Sequence, residues 1–160
     1  HSLLIGGSFG KIGAVILASK AALKIGSGLV SVYIPKCGYH AMQSANPEIM
    51  VEVDDENYLE FFNFKTKPVA IGIGMGLGLH LKTKKGFVEF LRSNKIPLVI
   101  DADGLNIIAE HQELSHLIKE DTILTPHPKE FERLVGAWKM IMKNLQNNFR
   151  FRKNTSAWLF

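Results

Sequence analysis

The sequence predicts an α/β domain built on a mainly parallel sheet with helices against its faces. Three observations carry this expectation. Short apolar runs alternate with helical periodicity along most of the chain. Two of the runs end in polar, proline-marked turns, Pro97-Leu98-Val99-Ile100-Asp101-Ala102-Asp103 and Thr122-Ile123-Leu124-Thr125-Pro126-His127-Pro128-Lys129-Glu130. Two earlier runs end in glycine-rich loops. Open parallel sheets keep their chemistry in the crevice beyond the carboxyl ends of the strands, so four such exits read as a binding rim.

In chain order, Ser2 to Gly7 reads as a buried strand, and Gly13 to Ile25 as a helix whose Ala14, Leu17, Ala18, Ala21, Ala22 and Ile25 repeat at helical spacing. That alanine-rich stripe is the expected packing face, because small residues let a helix lie close to a sheet. Gly26 and Gly28 end the helix before the strand Leu29 to Ile34, which completes a βαβ unit. A short helix follows Pro35, then a strand around Ile49 to Val53 and an acidic turn, Asp54-Asp55-Glu56. The alternation continues with a strand over Pro68 to Ile73, a helix over Leu79 to Arg92 and a strand over Pro97 to Ile100. Leu105 to Ala109 forms at least a helical turn, and Thr122 to Leu124 is a strand. Pro128 suits a first helical turn, so Lys129 to Val135 is predicted helical. Residues 1–136 make one α/β domain without internal repeat or linker. In residues 137–160 the rhythm stops, with at most a helix over Met140 to Asn148.

Composition excludes several classes. At 160 residues and 46% hydrophobic content the chain is long enough for one buried core and too short for two ordinary domains. No apolar run approaches the roughly 18 residues that span a bilayer, and no secretory leader opens the sequence, so a soluble, cytoplasmic protein without a membrane partner is expected. Cys37 is the single cysteine, which excludes an internal disulfide and a thiolate zinc cluster and fits a reducing compartment. Its expected role is a small buried hydrophobe. The net charge of +4 comes from Lys139, Lys143, Arg150, Arg152 and Lys153, which share a segment with no carboxylate. This reads as a basic tail rather than a nucleic-acid arm, since no recognised module surrounds its aromatics.

Four constellations could carry chemistry. Gly6-Gly7-Ser8-Phe9-Gly10-Lys11-Ile12-Gly13 joins strand to helix: its glycines allow positive φ and close backbone approach, and a helix N-terminus favours an anion such as phosphate. It matches neither a Walker loop nor a strict GxGxxG, and a tight turn without ligand is an equal reading. Gly72-Ile73-Gly74-Met75-Gly76-Leu77-Gly78 repeats glycine after a strand, as expected where another backbone or a flat ligand comes close. Asp101 and Asp103 flank a strand exit; extended, they share a side, and if the chain turns, Asp103 becomes the N-cap of the next helix. Asn106 lies one turn beyond. In Thr125-Pro126-His127-Pro128-Lys129-Glu130 two prolines hold His127 in a rigid presentation, and Glu130 falls in a first helical turn where its carboxylate is favoured. His111 and His116 lack the spacing of paired ligands, and Ser8 lacks the context of a nucleophile, so neither a zinc site nor a hydrolase triad is expected.

Together the Gly-Ser turn with Gly13-Ala14, Gly26-Ser27-Gly28-Leu29-Val30, Asn46-Pro47-Glu48-Ile49-Met50, Gly74-Met75-Gly76-Leu77-Gly78, Asp101-Ala102-Asp103-Gly104-Leu105-Asn106 and Thr125-Pro126-His127-Pro128-Lys129-Glu130-Phe131 resemble the ADP- or ATP-dependent NAD(P)H-hydrate dehydratases of the ribokinase-like superfamily. The resemblance runs in order from about Leu3 to Gly136. It implies a three-layer ribokinase-like fold and repair of hydrated nicotinamide cofactor: a nucleotide phosphorylates the ring hydroxyl, and phosphate elimination restores NADH or NADPH. It further implies that Ala14, Gly76, Gly78, His127, Asp101, Asp103 and Asn106 contact the hydrated dinucleotide. Gly7, Ser8, Gly10, Gly13 and Thr125 face nucleotide or phosphate, and Glu130 holds a water of Mg2+. The family's later Gly-Asp segment, which supplies the anion hole and the base, has no counterpart after Gly136, so no catalytic residue is assigned and the fold is expected to be incomplete at its C-terminus. Two alternatives remain, a ribokinase-like kinase of a small alcohol and a catalytically inactive nucleotide-binding module. A shortened sheet would leave an edge and an apolar face uncovered, which predicts a homo-oligomer.

Overall fold

The computed structural model describes residues 1–55 and 57–134. Its strands are β1 (Ser2–Ile5), β2 (Val30–Ile34), β3 (Met50–Val53), β4 (Ala70–Ile73), β5 (Leu98–Ile100) and β6 (Ile123–Leu124). They form one sheet in the order β3-β2-β1-β4-β5-β6, every pairing parallel. The chain winds outward from β1 to β3, then returns and winds the other way from β4 to β6. The reversal lies between β1 and β4, where the connections leave to opposite faces and open a crevice at the strands' carboxyl ends.

Helices α1 (Ile12–Lys24) and α2 (Tyr39–Ala45) cover one face, and α3 (Leu81–Ser93) and α4 (Ala102–Glu110) cover the other. Successive strand residues point to opposite faces, so Leu3 and Ile5 join Ile71, Ile73, Ile100, Phe87, Phe90, Leu105 and Ile108 in one core. Leu4 joins Val15, Val32, Ile34, Met42 and Ile49 in the other. The sheet is thus buried on both sides, which is why its central strands read as apolar runs rather than alternating ones. Two 3-10 turns, Lys36–Gly38 and Gln112–Leu117, complete the connections, and residues 128–134 are helical. The expected helix over Met140 to Asn148 and the basic tail lie outside the described residues.

The three-layer α/β expectation holds, with two corrections to its details. Helix α1 turns a different face to the sheet: Val15 and Ser19 are fully buried, with Ile12, Ile16, Ala22 and Leu23 packed beside them. Leu17 and Ile25, from the expected stripe, are 71% and 87% exposed. Both stripes have helical spacing. The sheet takes the one with larger aliphatic side chains because burial free energy scales with the apolar area removed from water, and alanine offers little. Ser19 can be buried there because its hydroxyl donates to Val15 O at 2.7 Å. Cys37 is exposed instead of buried. Its turn gives the inward position to Gly38, where a Cβ would come within 2.5 Å of Ile12 Cδ1, and this leaves the thiol on the outside.

Candidate functional site

The two glycine loops leave the sheet from β1 and β4, on either side of the crevice, and bond directly to each other. Gly7 N–H donates to Met75 O at 2.9 Å, Gly74 N–H to Ile5 O at 3.1 Å, and Ser8 Oγ to Gly76 O at 2.9 Å. This closeness uses the glycines in two ways. A Cβ on Gly6 would lie 2.3 Å from Met75 O, and one on Gly76 would lie 2.6 Å from Lys11 O and 3.1 Å from Ala14 Cβ. Gly76 also has φ +65°, a conformation L-residues rarely adopt. By contrast a Cβ on Gly10 or Gly13 would meet nothing within 4 Å, so the outer lip of the first loop is open.

The exit of β5 joins the same junction. Asp103 Oδ2 accepts from Gly78 N–H at 2.8 Å and from Lys11 Nζ at 3.3 Å, tying the second glycine loop, the first glycine loop and α4 to one carboxylate. Asp103 is therefore not the N-cap. Helix α4 begins at Ala102 with Asp101 in the capping position, whose side chain caps nothing, and Asp103 sits in the first turn. The helix starts earlier than its apolar pattern implied because Ala102 turns the chain sharply at φ +47°. Such positive φ costs a non-glycine residue about 1–2 kcal/mol and is offset by the bonds that Asp103 then reaches. Asp101 is anchored through its backbone, with N–H to Ile73 O at 3.0 Å and its carbonyl against Gly74.

The fourth loop follows β6. Thr125 N–H and Oγ1 both reach Ile100 O, at 3.2 and 3.4 Å, which pins the loop to the end of β5. His127 presents an exposed ring whose nitrogens are both engaged: Nδ1 accepts from Lys129 N–H at 3.2 Å, and Nε2 lies 3.1 Å from Glu130 Oε1. With Nδ1 accepting, a ring proton sits on Nε2, on the side of Glu130. Glu130, 6% exposed, takes His127 N–H on its other oxygen at 3.0 Å. Asn106 Oδ1 accepts from Arg133 at 2.6 Å, linking α4 to the helical residues after Pro128.

The structure thus gathers Gly7, Ser8, Ala14, Gly76, Gly78 and Asp103 into direct contact or adjacency and places Asp101, Asn106, Thr125, His127 and Glu130 along the neighbouring strand ends. Gly10 and Gly13 lie on the outer lip. Among the described residues no three His, Cys, Asp or Glu side chains cluster as a metal cage. Glu130 does not fit a direct metal ligand, since it is buried, its Oε2 accepts from His127 N–H and its Oε1 lies 3.1 Å from the His127 ring. It fits the looser demand of Mg2+, which keeps most of its waters and needs few carboxylates when phosphates are present. Two basic residues at this rim, Lys11 and Arg133, escaped the sequence reading. Lys11 carried a detectable signal: a lysine at the N-cap of a helix opposes the dipole, so its place there calls for a reason other than helix stability. Arg133 follows Glu130 at helical i+3 spacing, a weaker signal.

A family model described as NAD(P)H-hydrate dehydratase matches residues 2–157. The chain is 37% identical over 136 residues to the ADP-dependent (S)-NAD(P)H-hydrate dehydratase of Lactococcus lactis, covering 84% of this chain and 48% of that protein. It is 33% identical over 148 residues to the mouse ATP-dependent (S)-NAD(P)H-hydrate dehydratase, covering 88% and 42%. The chain therefore spans less than half the length of these relatives. Its fold superposes with TM-score 0.64 on the Bacillus subtilis ADP/ATP-dependent NAD(P)H-hydrate dehydratase co-crystallised with ATP and Mg2+, at 24% identity, covering 91% of this chain and 51% of that one.

Proposed function

The chain belongs to the NAD(P)H-hydrate dehydratase family, and from that premise we propose that its crevice binds hydrated NADH or NADPH and takes part in its ADP- or ATP-dependent dehydration. The observation that carries the reading is the junction at the sheet reversal, where one carboxylate, Asp103, ties two glycine loops and α4 together. Such a junction holds the two glycine loops against each other at the strand ends, from which several exits can offer amides and side chains to a ligand.

In this reading Ala14, Gly76 and Gly78, packed where the two glycine loops meet, form the base on which the hydrated nicotinamide half lies. Asp101, Asp103 and Asn106 line the pocket beside it. His127 contacts the same ligand through its exposed ring, held in place by Glu130. Gly7, Ser8, Gly10, Gly13 and Thr125 face phosphate oxygens with backbone amides and hydroxyls. Glu130 orients a water of Mg2+. A bound nucleotide would supply the phosphoryl group that makes the ring hydroxyl a leaving group, and Mg2+ would neutralise charge on the phosphate oxygens. Around that chemistry these residues bind, orient and exclude water; activation of the hydroxyl is assigned to none of them.

The reading also places the chain in the cytoplasm as a homo-oligomer. Among the described residues no helix is long and apolar enough to cross a membrane. The outward face of α1 carries exposed Leu17, Ala21 and Ile25, and β6 ends the described sheet with Ile123 half exposed. A second copy would bury that surface.

The test is conversion of NADPH hydrate in the presence of ADP and Mg2+, followed by return of the reduced nicotinamide absorbance, with His127→Ala beside the wild type. Turnover that falls at least about tenfold in the variant supports the reading. Binding of the hydrate without turnover points to an inactive nucleotide-binding module. Phosphorylation of a small alcohol with no response to NADPH hydrate points to a kinase and overturns the proposal.

A further inference from the structure

Two cations converge on one strip of α4 from opposite sides. Lys11, from the loop after β1, reaches Asp103 at 3.3 Å with its own side chain 54% exposed. Arg133, from the helical residues after β6, reaches Asn106 at 2.6 Å and is itself exposed. Asp103 and Asn106 are three residues apart, so they sit on the same face of α4 with Cβ atoms about 5–6 Å apart. The two cationic heads accordingly flank one strip of α4, one on Asp103 and the other on Asn106, above the carboxyl end of β5.

Neither contact accounts for its cation by stability. An exposed lysine–carboxylate pair contributes about 0–1 kcal/mol, and Asp103 keeps Gly78 N–H as a partner whether or not Lys11 stays. Asn106 is neutral, so the guanidinium charge is not compensated there. Glu130, one turn before Arg133, turns to His127 instead, with Oε2 on its N–H and Oε1 3.1 Å from its ring. Each cation is therefore held near the crevice by a partner it can leave at little cost.

We propose that Lys11 and Arg133 are two arms that exchange Asp103 and Asn106 for the phosphate oxygens of a ligand carrying a phosphoric anhydride. Two linked phosphates offer an anionic partner to each arm once it leaves Asp103 or Asn106. The planar guanidinium fork engages one phosphate in bidentate fashion and the lysine ammonium meets the other as a point charge. The anhydride has two sources under the proposed function, on which this inference rests: the pyrophosphate bridge of the hydrated dinucleotide and the diphosphate of the nucleotide.

The test is equilibrium titration of the full chain with NADH hydrate and, separately, with ADP, using wild type, Lys11→Met, Arg133→Met, Lys11→Arg and Arg133→Lys. Removal of either charge is expected to weaken one of the two ligands by at least about tenfold, and the charge-keeping variants to recover most of the loss. Loss confined to NADH hydrate assigns the arms to the dinucleotide bridge, and loss confined to ADP assigns them to the nucleotide. Wild-type affinity for that ligand should also fall as KCl is raised, a readout that needs no variant to fold. Wild-type binding that Lys11→Met and Arg133→Met both match within about twofold overturns the arms and leaves the proposed function standing. Failure of the wild type to bind either ligand overturns both.

Discussion

Replacing Gly74 with alanine is expected to be the most damaging single change at the crevice. Its cost can be built up from two simpler replacements. Gly10 has φ +79° and open space where a Cβ would go, so Gly10→Ala isolates the conformational penalty of about 1–2 kcal/mol, reduced by about 0.4–1 kcal/mol because alanine restricts the unfolded chain. A Cβ on Gly6, whose φ is not positive, would sit 2.3 Å from Met75 O, so Gly6→Ala isolates a backbone collision of about 1–3 kcal/mol. Gly74 combines both: φ is +120°, and the new Cβ would lie 1.9 Å from Asp101 O and 2.9 Å from Gly104 N. Relief needs a shift of roughly 1.5 Å in the start of α4, which would break the Asp103–Gly78 bond, so a total of about 4 kcal/mol is expected. For a chain of this size each kcal/mol moves the melting temperature by about 2–4 °C. Thermal melts followed by circular dichroism should show Gly10→Ala within a few degrees of wild type and Gly74→Ala lowered by about 10 °C or more. A Gly74→Ala protein that melts with Gly10→Ala would refute the claim that the β4 loop and the β5 exit meet backbone to backbone.

Further outcomes follow from other contacts. Burial of Glu52 pushes its carboxyl up, but Thr66 Oγ1 and the amides of Lys65 and Thr66 together outweigh it and hold the folded value below the ordinary 4.5. Its stabilisation is therefore full above that pH and lost as pH falls through the folded value; Glu52→Gln should melt a few degrees lower at neutral pH, with the gap closing as the pH is lowered below the ordinary value. Asp103→Ala frees Gly78 N–H, so urea unfolding should register about 1 kcal/mol of destabilisation and hydrogen exchange at Gly78 should accelerate; unchanged exchange would remove Asp103 from its place as the tie. Light scattering at micromolar concentration should give a multiple of the chain mass, reduced by Leu17→Lys with Ile25→Lys on the outer face of α1, and a monomer in the wild type would contradict the oligomer.

What was legible beforehand was what local patterning encodes. The apolar runs located the strands to within a residue or two, and the glycine and proline punctuation marked the loops that meet at the crevice. Which face of α1 turns inward was not legible, because Ala14, Leu17, Ala21 and Ile25 repeat as regularly as Ile12, Val15, Ser19 and Leu23. Only the sheet decides between the two. The start of α4 was hidden for a different reason: Ala102 adopts positive φ, which its residue type disfavours, under tertiary contacts that propensity does not see. Cys37 misled because burial statistics for cysteine say nothing about a turn in which Gly38 must face Ile12. Lys11 and Arg133 were overlooked since their partners, Asp103 and Asn106, lie 92 and 27 residues away.

The central claim is that ligand enters at the carboxyl ends of the strands, where the chain reverses direction. Amide chemical-shift mapping with NADH hydrate tests it most directly. Perturbations are expected at Gly7 to Ala14, Gly74 to Gly78, Asp101 to Asn106 and Thr125 to Glu130. The opposite end of the sheet offers a small hollow lined by Leu91, Asn94, Ile96, Leu98, Leu117 and Thr122. Shifts confined to that hollow, with the four loops silent, would contradict the account.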